Sequence, residues 1–396
     1  MHCLYNIGIW IFGFIIYIAA FFNPKAKQWV KGRKNILEKL EPADYWFHCA
    51  SLGEFEQGRP IIEAIKKQTP DKKILLSFFS PSGYEVRKNY HLADQVCYLP
   101  LDSPKNAKTF IKNVNPETAI FIKYEFWYNY LIQLDKKGVK SYVASSIFRK
   151  EQLFFKWYGV WFKNILKTIN HFFVQNQESK DLLASIDIKE SSISGDTRFD
   201  QVIQHVKQVK SIPLIEAFKG NQQLIVCGST WPKDEELILK TALKYTNLKW
   251  LIAPHNIKNS KNLAIQSKGI LYSEATTDSI KKHSILIIDN IGMLSNIYQY
   301  ANVSYIGGGF DSGIHNILEA AAFGCPTLFG PKHHKFKEAI DLIKLGGSKS
   351  IYNTKTLRNE LEYFLTNDKK VMIKEYCKTQ SGATSLITQK ICHNHA

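Results

Sequence analysis

Apolar runs of strand length alternate with longer segments of helical period along almost the whole chain, which is the pattern of parallel sheets covered by helices. A first set comprises "YWFHCAS" (45–51), "KILLSFFS" (73–80), "QVCYLP" (95–100), "TAIFIKY" (118–124) and "KSYVASS" (140–146), with "HFFVQN" (171–176) as a sixth run. Intervening segments such as "RPIIEAIKKQ" and "WYNYLIQLDKKG" are apolar on one face. The rhythm then restarts with "QLIVCGS" (223–229), "LKWLIAP" (248–254), "GILYSE" (269–274), "SILIID" (284–289), "NVSYIGG" (302–308) and "PTLFGP" (326–331). Between the sets, residues 205–220 are polar and carry Pro213 and Gly220, as an interdomain connection does. A chain of 396 residues exceeds what one core supports. The expectation is an α/β chain of two tandem Rossmann-like domains, residues 25–207 and 208–396, with a cleft between them. Open sheets of this kind bind ligands at the carboxyl ends of their strands.

Residues 1–24 stand apart. "LYNIGIWIFGFIIYIAAFF" (4–22) has no formal charge, and its length approaches the roughly 20 residues needed to cross a bilayer. No positive segment precedes it and no clean cleavage site ends it, so a membrane anchor helix is expected rather than a signal peptide. The "PKAKQWVKGRK" that follows places the domains on the cytoplasmic side. A net charge of +17 favours anionic partners, phospholipid headgroups and phosphorylated substrates among them. No nucleic-acid-binding signature accompanies that charge, and none is expected as a partner. The seven cysteines are scattered without CxxC spacing, which fits a reducing compartment. The basic "KHHKFKE" (332–338) lacks acid ligands, so no metal site is expected.

Candidate chemistry gathers at the strand ends. In "FHCASLGEFEQGRP" (47–60), Pro60 suits the first turn of a helix, so Ser51 to Gly58 is expected to form a strand-to-helix loop. Glu54 on that loop is placed to act as a general base, or as an acid favoured by a helix N-terminus. Glu125 in "KYEFWYN" ends a second strand toward the same sheet edge. Ser82 and Gly83 in "SPSGYE" offer a hydroxyl and backbone N–H groups, or simply cap a helix. In the second domain, Gly228, Ser229 and Thr230 of "CGSTWPKDEE" open a helix that can hold a phosphate, with Ser229 or Thr230 as cap. His255 ends the next strand. "YIGGGFDSGIHNILEAAAFGCPTLFGP" (305–331) supplies Gly307, Gly308 and Gly309 for close backbone approach, and Asn316 and Glu319 three apart on one face of an expected helix. No HExxH, GxxxxGK[ST] or GxSxG occurs, which leaves zinc proteases, P-loop NTPases and α/β-hydrolases unsupported.

The order of "ASLGEFEQGRPIIEAI", "SFFSPSGYEV", "YLPLDSP", "KYEFWYNYL", "SGDTRFD", "GSTWPKDEE" and "GGGFDSGIHNILEAAAFGCPTLFGP" resembles that of the Kdo transferases. These are membrane-anchored enzymes of the GT-B fold that move 3-deoxy-D-manno-oct-2-ulosonic acid (Kdo) from CMP-Kdo to the lipid A precursor in lipopolysaccharide assembly. The resemblance implies that Glu54 is the catalytic base and Glu125 the second essential acid. It implies that Gly228–Thr230, His255, Asn316 and Glu319 hold the CMP moiety beside Gly307–Gly309, and that no cofactor or metal takes part. It further implies an acceptor-binding first domain, a donor-binding second domain and a place on the inner membrane facing the cytoplasm. Three segments depart from the family's pattern: Ala253-Pro254-His255 where Pro-Arg-His is usual, "SGIHN" for "GGHN", and "SSIFRKEQ" (145–152). The first departure removes a cation, and Lys332 or its neighbours are expected to replace it. Two rivals remain: a GT-B enzyme using a UDP-sugar, a transferase or a UDP-sugar epimerase, and a membrane-tethered nucleotide-binding scaffold without catalysis.

Overall fold

The computed structural model describes residues 2–393. The chain divides into two compact units, Met1–Asp200 with Ser381–Ala396, and Gln201–Gln380. The first unit holds β1 (Tyr45–Cys49), β2 (Ile74–Phe78), β3 (Gln95–Tyr98), β4 (Thr118–Ile122), β5 (Lys140–Ser146), β6 (His171–Val174) and β7 (Ser191–Ile193). They form a parallel sheet in the order β3-β2-β1-β4-β5-β6-β7. The second unit holds β8 (Leu224–Thr230), β9 (Lys249–Pro254), β10 (Ile270–Leu271), β11 (Ile285–Ile287), β12 (Val303–Ile306), β13 (Thr327–Phe329) and β14 (Ser348–Ser350). These are parallel in the order β10-β11-β9-β8-β12-β13-β14. Strands β1, β2 and β4 are buried at every position, as both-face burial in a parallel sheet requires. Each unit is thus the doubly wound α/β layer that builds a GT-B protein.

Sheet order identifies where each unit can bind. The direction of winding reverses between β1 and β4 in the first sheet and between β8 and β12 in the second. Loops leaving the carboxyl ends of two such strands diverge and open a crevice. Glu54 and Glu125 follow β1 and β4, while the Ser229 turn and the triple glycine follow β8 and β12.

The structure departs from the sequence expectations in four places. Ser51 to Gly58 is not a loop: helix α3 (Leu52–Gln68) begins directly after β1, and Pro60 lies inside it. The reach of Glu54 back to the amides of Ala50 and Ser51 starts the helix early, which a capping-box spacing favours. The cap of the helix Pro232–Ala242 is Trp231 rather than Ser229 or Thr230, because Asp234 accepts from the Trp231 amide. The helix expected over "HNILEAAAFG" is shorter, Leu318–Ala322, so Asn316 precedes it. The second unit is Gln201–Gln380 rather than 208–396, since the helix Thr197–Gln208 runs through the expected boundary and the closing helix Ala383–His393 belongs to the first unit. Its Ile387 and Ile391 are fully buried in a core with Phe47, Ile61 and Leu76, and Asp200 accepts from the amides of Gly382 and Thr384.

The N-terminal helix α1 (His2–Ala19) is long and apolar enough to cross a membrane. Its half-buried positions are Tyr5, Asn6, Ile9, Gly13, Ile16 and Ala19, one face of a 3.6-residue period. That face lies against the first unit: the Tyr5 hydroxyl donates to Asp102 Oδ2 at 2.6 Å, and Phe12 packs on Phe79 and on Trp29 of helix α2 (Pro24–Gly32).

Candidate active site

In the first unit the chemistry is built around two acids. Glu54 sits at the third position of α3 and is nine-tenths buried. Its Oε2 accepts from the amides of Ala50 at 2.5 Å and Ser51 at 3.3 Å. Both cap bonds fall on one oxygen, which leaves Oε1 with no bond among the described residues. Burial pushes the carboxyl up to about 7, helped by the Glu125 charge and opposed by Lys123 and the two amides. A carboxyl balanced near neutrality is suited to take a proton and return it. Gly58, one turn further on, lets α3 lie close to the sheet: a Cβ there would come within 3.0 Å of Cys49 Sγ and 3.2 Å of Ile122 Cγ1.

Glu125 is held from below by a buried relay that composition and spacing do not reveal. Trp127 Nε1 donates to Glu125 Oε2 at 2.9 Å and to His48 Nε2 at 3.1 Å. With Nε2 accepting, the imidazole proton belongs on Nδ1, which donates to Ser77 Oγ at 2.9 Å. Ser77 also accepts from Trp46 Nε1 at 2.8 Å and donates to the Phe47 carbonyl at 3.3 Å. His48 Nε2 lies 3.4 Å from Glu125 Oε2. The one available signal for this relay was a histidine inside the otherwise apolar strand "YWFHC". Lys123, two residues before Glu125, takes a left-handed backbone with φ of 65°. Non-glycine residues rarely do so, and such strain concentrates where a loop must aim its side chains.

A second tie fixes α3. Gln57 Nε2 donates to Asp196 Oδ1 at 3.0 Å, and the Thr197 hydroxyl donates to the Gln57 carbonyl at 2.6 Å. Burial alone would raise the Asp196 carboxyl, but the Arg198 guanidinium, 2.8 Å away, outweighs it and holds Asp196 ionised. The "SGDTRFD" segment therefore secures the helix that carries Glu54. Ser82 and Gly83 are engaged locally: the Ser82 hydroxyl pairs with that of Ser80 at 3.0 Å, and the Gly83 amide donates to the Ser80 carbonyl. A Cβ on Gly83 would meet the Phe78 ring at 2.3 Å, which accounts for the glycine by packing.

In the second unit the ends of β8 and β12 press together. The Gly307 amide donates to the Gly228 carbonyl at 2.9 Å, and a Cβ on Gly307 would stand 2.1 Å from the Ser229 carbonyl oxygen. Gly308 has φ of 88°, and Gly309 packs on Gly330. Asp234 ties this loop to the neighbouring helix, accepting from the Gly308 amide at 2.8 Å and the Tyr305 hydroxyl at 2.7 Å. Trp231, His255 and His315 stack as near-parallel rings, with His255 centred 5.0 Å from Trp231 and 4.7 Å from His315. Trp231 Nε1 donates to His315 Nε2 at 3.0 Å. Burial, with help from His255, lowers the His315 pKa and keeps that ring neutral. Beside the stack is a cavity of about 730 Å³ lined by Thr230, Trp231, Glu235, His255, Asn256 and Lys258. Asn316 Nδ2 donates to Glu319 Oε1 at 3.0 Å, so the two meet by a direct bond rather than along a helix face. Lys332 donates its ammonium to the Asp311 carbonyl, placing a cation at the glycine loop. No cluster of metal-ligating side chains occurs among the described residues.

These two sites can be set beside known proteins. Residues 24–201 match the family model described as 3-deoxy-D-manno-octulosonic-acid transferase (kdotransferase). The chain is 26% identical over 346 residues to the 3-deoxy-D-manno-octulosonic acid transferase of Aquifex aeolicus, covering 85% of this chain and 90% of that protein. It is 28% identical over 342 residues to the enzyme of that name from Rickettsia bellii, covering 84% and 81%. Among solved structures, a UDP-N-acetylglucosamine 2-epimerase superposes with a TM-score of 0.62 at 12% identity, over 90% of this chain and 97% of that one. The Neisseria meningitidis epimerase does so with a TM-score of 0.57 at 14% identity, over 88% and 99%. At such identities the structural likeness carries the fold alone. The chain is thus similar to the Kdo transferases, through their family model over residues 24–201 and, in the Aquifex aeolicus enzyme, along more than four fifths of its length.

Proposed function

We propose that this protein is an inverting glycosyltransferase that moves Kdo from CMP-Kdo to a hydroxyl of the lipid A precursor lipid IVA, at the cytoplasmic face of the inner membrane. The first unit receives the acceptor and the second holds the donor. Glu54 Oε1 takes the proton of the attacking hydroxyl as its oxygen bonds the anomeric carbon, and the bond from that carbon to the CMP phosphate breaks. Configuration at that carbon inverts because attack and departure are on opposite faces. Glu125, held by Trp127 and His48, keeps the proton affinity of Glu54 high enough for the transfer. The Ser229–Thr230 turn, the glycine loop and Lys332 oppose the charge that grows on the leaving phosphate, with Asn316 and Glu319 on the ribose. The Trp231–His255–His315 stack offers the cytosine a flat aromatic face. The observation that carries this reading is the acid pair at the switch point of the first sheet, its buried member balanced near pH 7.

The test is incubation of the membrane fraction with CMP-Kdo and lipid IVA, followed by mass analysis of the lipid. Addition of Kdo is expected, and an unchanged acceptor would refute the proposal. One rival shares the same fold, a UDP-sugar enzyme. Thermal stabilisation by CMP and not by UDP is expected; the reverse would favour that rival.

A further inference from the structure

We infer that α1 does not cross the bilayer but lies along one leaflet, forming with the neighbouring Trp157–Val160 segment a single surface for anionic phospholipid. This rests on the reading that the protein works at a membrane, and it concerns how it does so. The first unit accompanies α1 along its length. At the start of the helix, His2 pairs with Asn129 at 3.2 Å, Asn129 donates to Asn6 at 2.9 Å, and Tyr5 donates to Asp102 while packing on Tyr128 and Trp161. Further along, Phe12 meets Phe79, and Gly13 lies so close to Leu101 that a Cβ would come within 2.7 Å.

A helix of 18 residues is about 27 Å long, close to the thickness of the hydrocarbon layer. Set across the bilayer, it would carry into hydrocarbon the flank of the first unit to which it is bonded. That flank contains Asp102, a buried carboxyl that also accepts from the amides of Asn129 and Tyr130. Laid in the plane of the membrane, the same helix keeps its polar bonds and turns only its outer face to lipid.

That outer face is apolar throughout. Ile7, Trp10, Phe14, Ile18 and Phe21 are each between 46% and 72% exposed. Trp161 touches Tyr5 in the first turns of α1, and the residues just before it, Trp157 (87% exposed) and Val160 (55% exposed), are open to the surroundings. Exposed Lys25, Lys27, Lys31 and Lys34 follow the helix. An apolar face with a basic margin is the composition of an interfacial helix attracted to anionic lipid. Between α1 and α2 opens a cavity of about 800 Å³, lined by Trp10, Phe14, Tyr17 and Leu101 and margined by Lys31 and Lys34, which lipid tails can fill.

The two placements put the start of α1 on opposite sides of the membrane. An epitope tag with a protease site placed before α1, and the exposed Cys3 in a Cys392→Ser background, report that position. In sealed spheroplasts, external protease and a membrane-impermeant maleimide are expected to reach neither reporter, while inside-out vesicles from the same cells lose the tag to protease. Tag cleavage or Cys3 labelling in intact spheroplasts would overturn the inference and leave the membrane reading standing. Failure of the full-length protein to float with phosphatidylglycerol vesicles would overturn both.

Discussion

Burial and a neighbouring carboxylate act on Glu54 in one direction, and Lys123 with two backbone amides acts in the other; the first pair prevails. The consequence for stability has a definite sign. Because the folded carboxyl titrates near 7 and the unfolded one near 4.5, the folded state binds the extra proton between those values. Stability therefore falls as pH rises through that window and stays reduced above it. Glu54→Gln keeps an acceptor for the Ala50 and Ser51 amides and removes the charge. It is expected to raise stability at pH 8 by on the order of 1–3 kcal/mol, with the gain vanishing near pH 4, as measured by denaturant unfolding. His48→Ala would take one hydrogen-bond partner each from Ser77 and Trp127 and leave a cavity in the buried strand, at a cost of about 1–3 kcal/mol. It should also move the acid limb of the pH–rate profile, by freeing Glu125. Unchanged unfolding midpoints would count against the relay. These effects were only partly legible in the sequence. Glu54 and Glu125 stood out as acids ending apolar runs, whereas His48 did not, because its partners Ser77 and Trp127 come from distant segments and only the fold assembles them.

The elements that matter most are strand ends, and their visibility depended on burial. Central strands such as β1 and β4 are apolar at almost every position, so they were plain in the sequence. The edge strands β7 and β14 are three residues each and largely polar, with no period to betray them. Pro60 pointed to a helix start and proved to be inside a helix that Glu54 had already begun. The glycine loop was legible as a close approach, but its partner was not: Gly307 faces the backbone of Ser229, across the switch point. Gly307→Ala must separate β8 from β12. It is expected to weaken CMP binding by at least tenfold in calorimetry while leaving the first unit folded; unaltered binding would show that the turn does not hold the nucleotide.

At the scale of the whole molecule, the chain returns to where it began. The final helix completes the core of the first unit, so the domain order is not simply first half and second half. Ile387→Ala empties a fully buried site in that core. It should cost about 2–5 kcal/mol and destabilise the first unit, not the second, as hydrogen exchange resolves by segment. No composition argument exposes this, because a short amphipathic helix fits either unit equally well. Each unit presents polar groups at its own switch point, and in the proposed function Glu54 is the group that takes the acceptor's proton. The most direct measurement is the pH dependence of Kdo transfer to lipid IVA by the wild-type protein and by Glu54→Gln. The predicted result is a wild-type rate that falls tenfold per unit below about pH 7, and a variant at least a hundredfold slower above pH 7 and without that acid limb; a variant that keeps both the rate and the acid limb would contradict it.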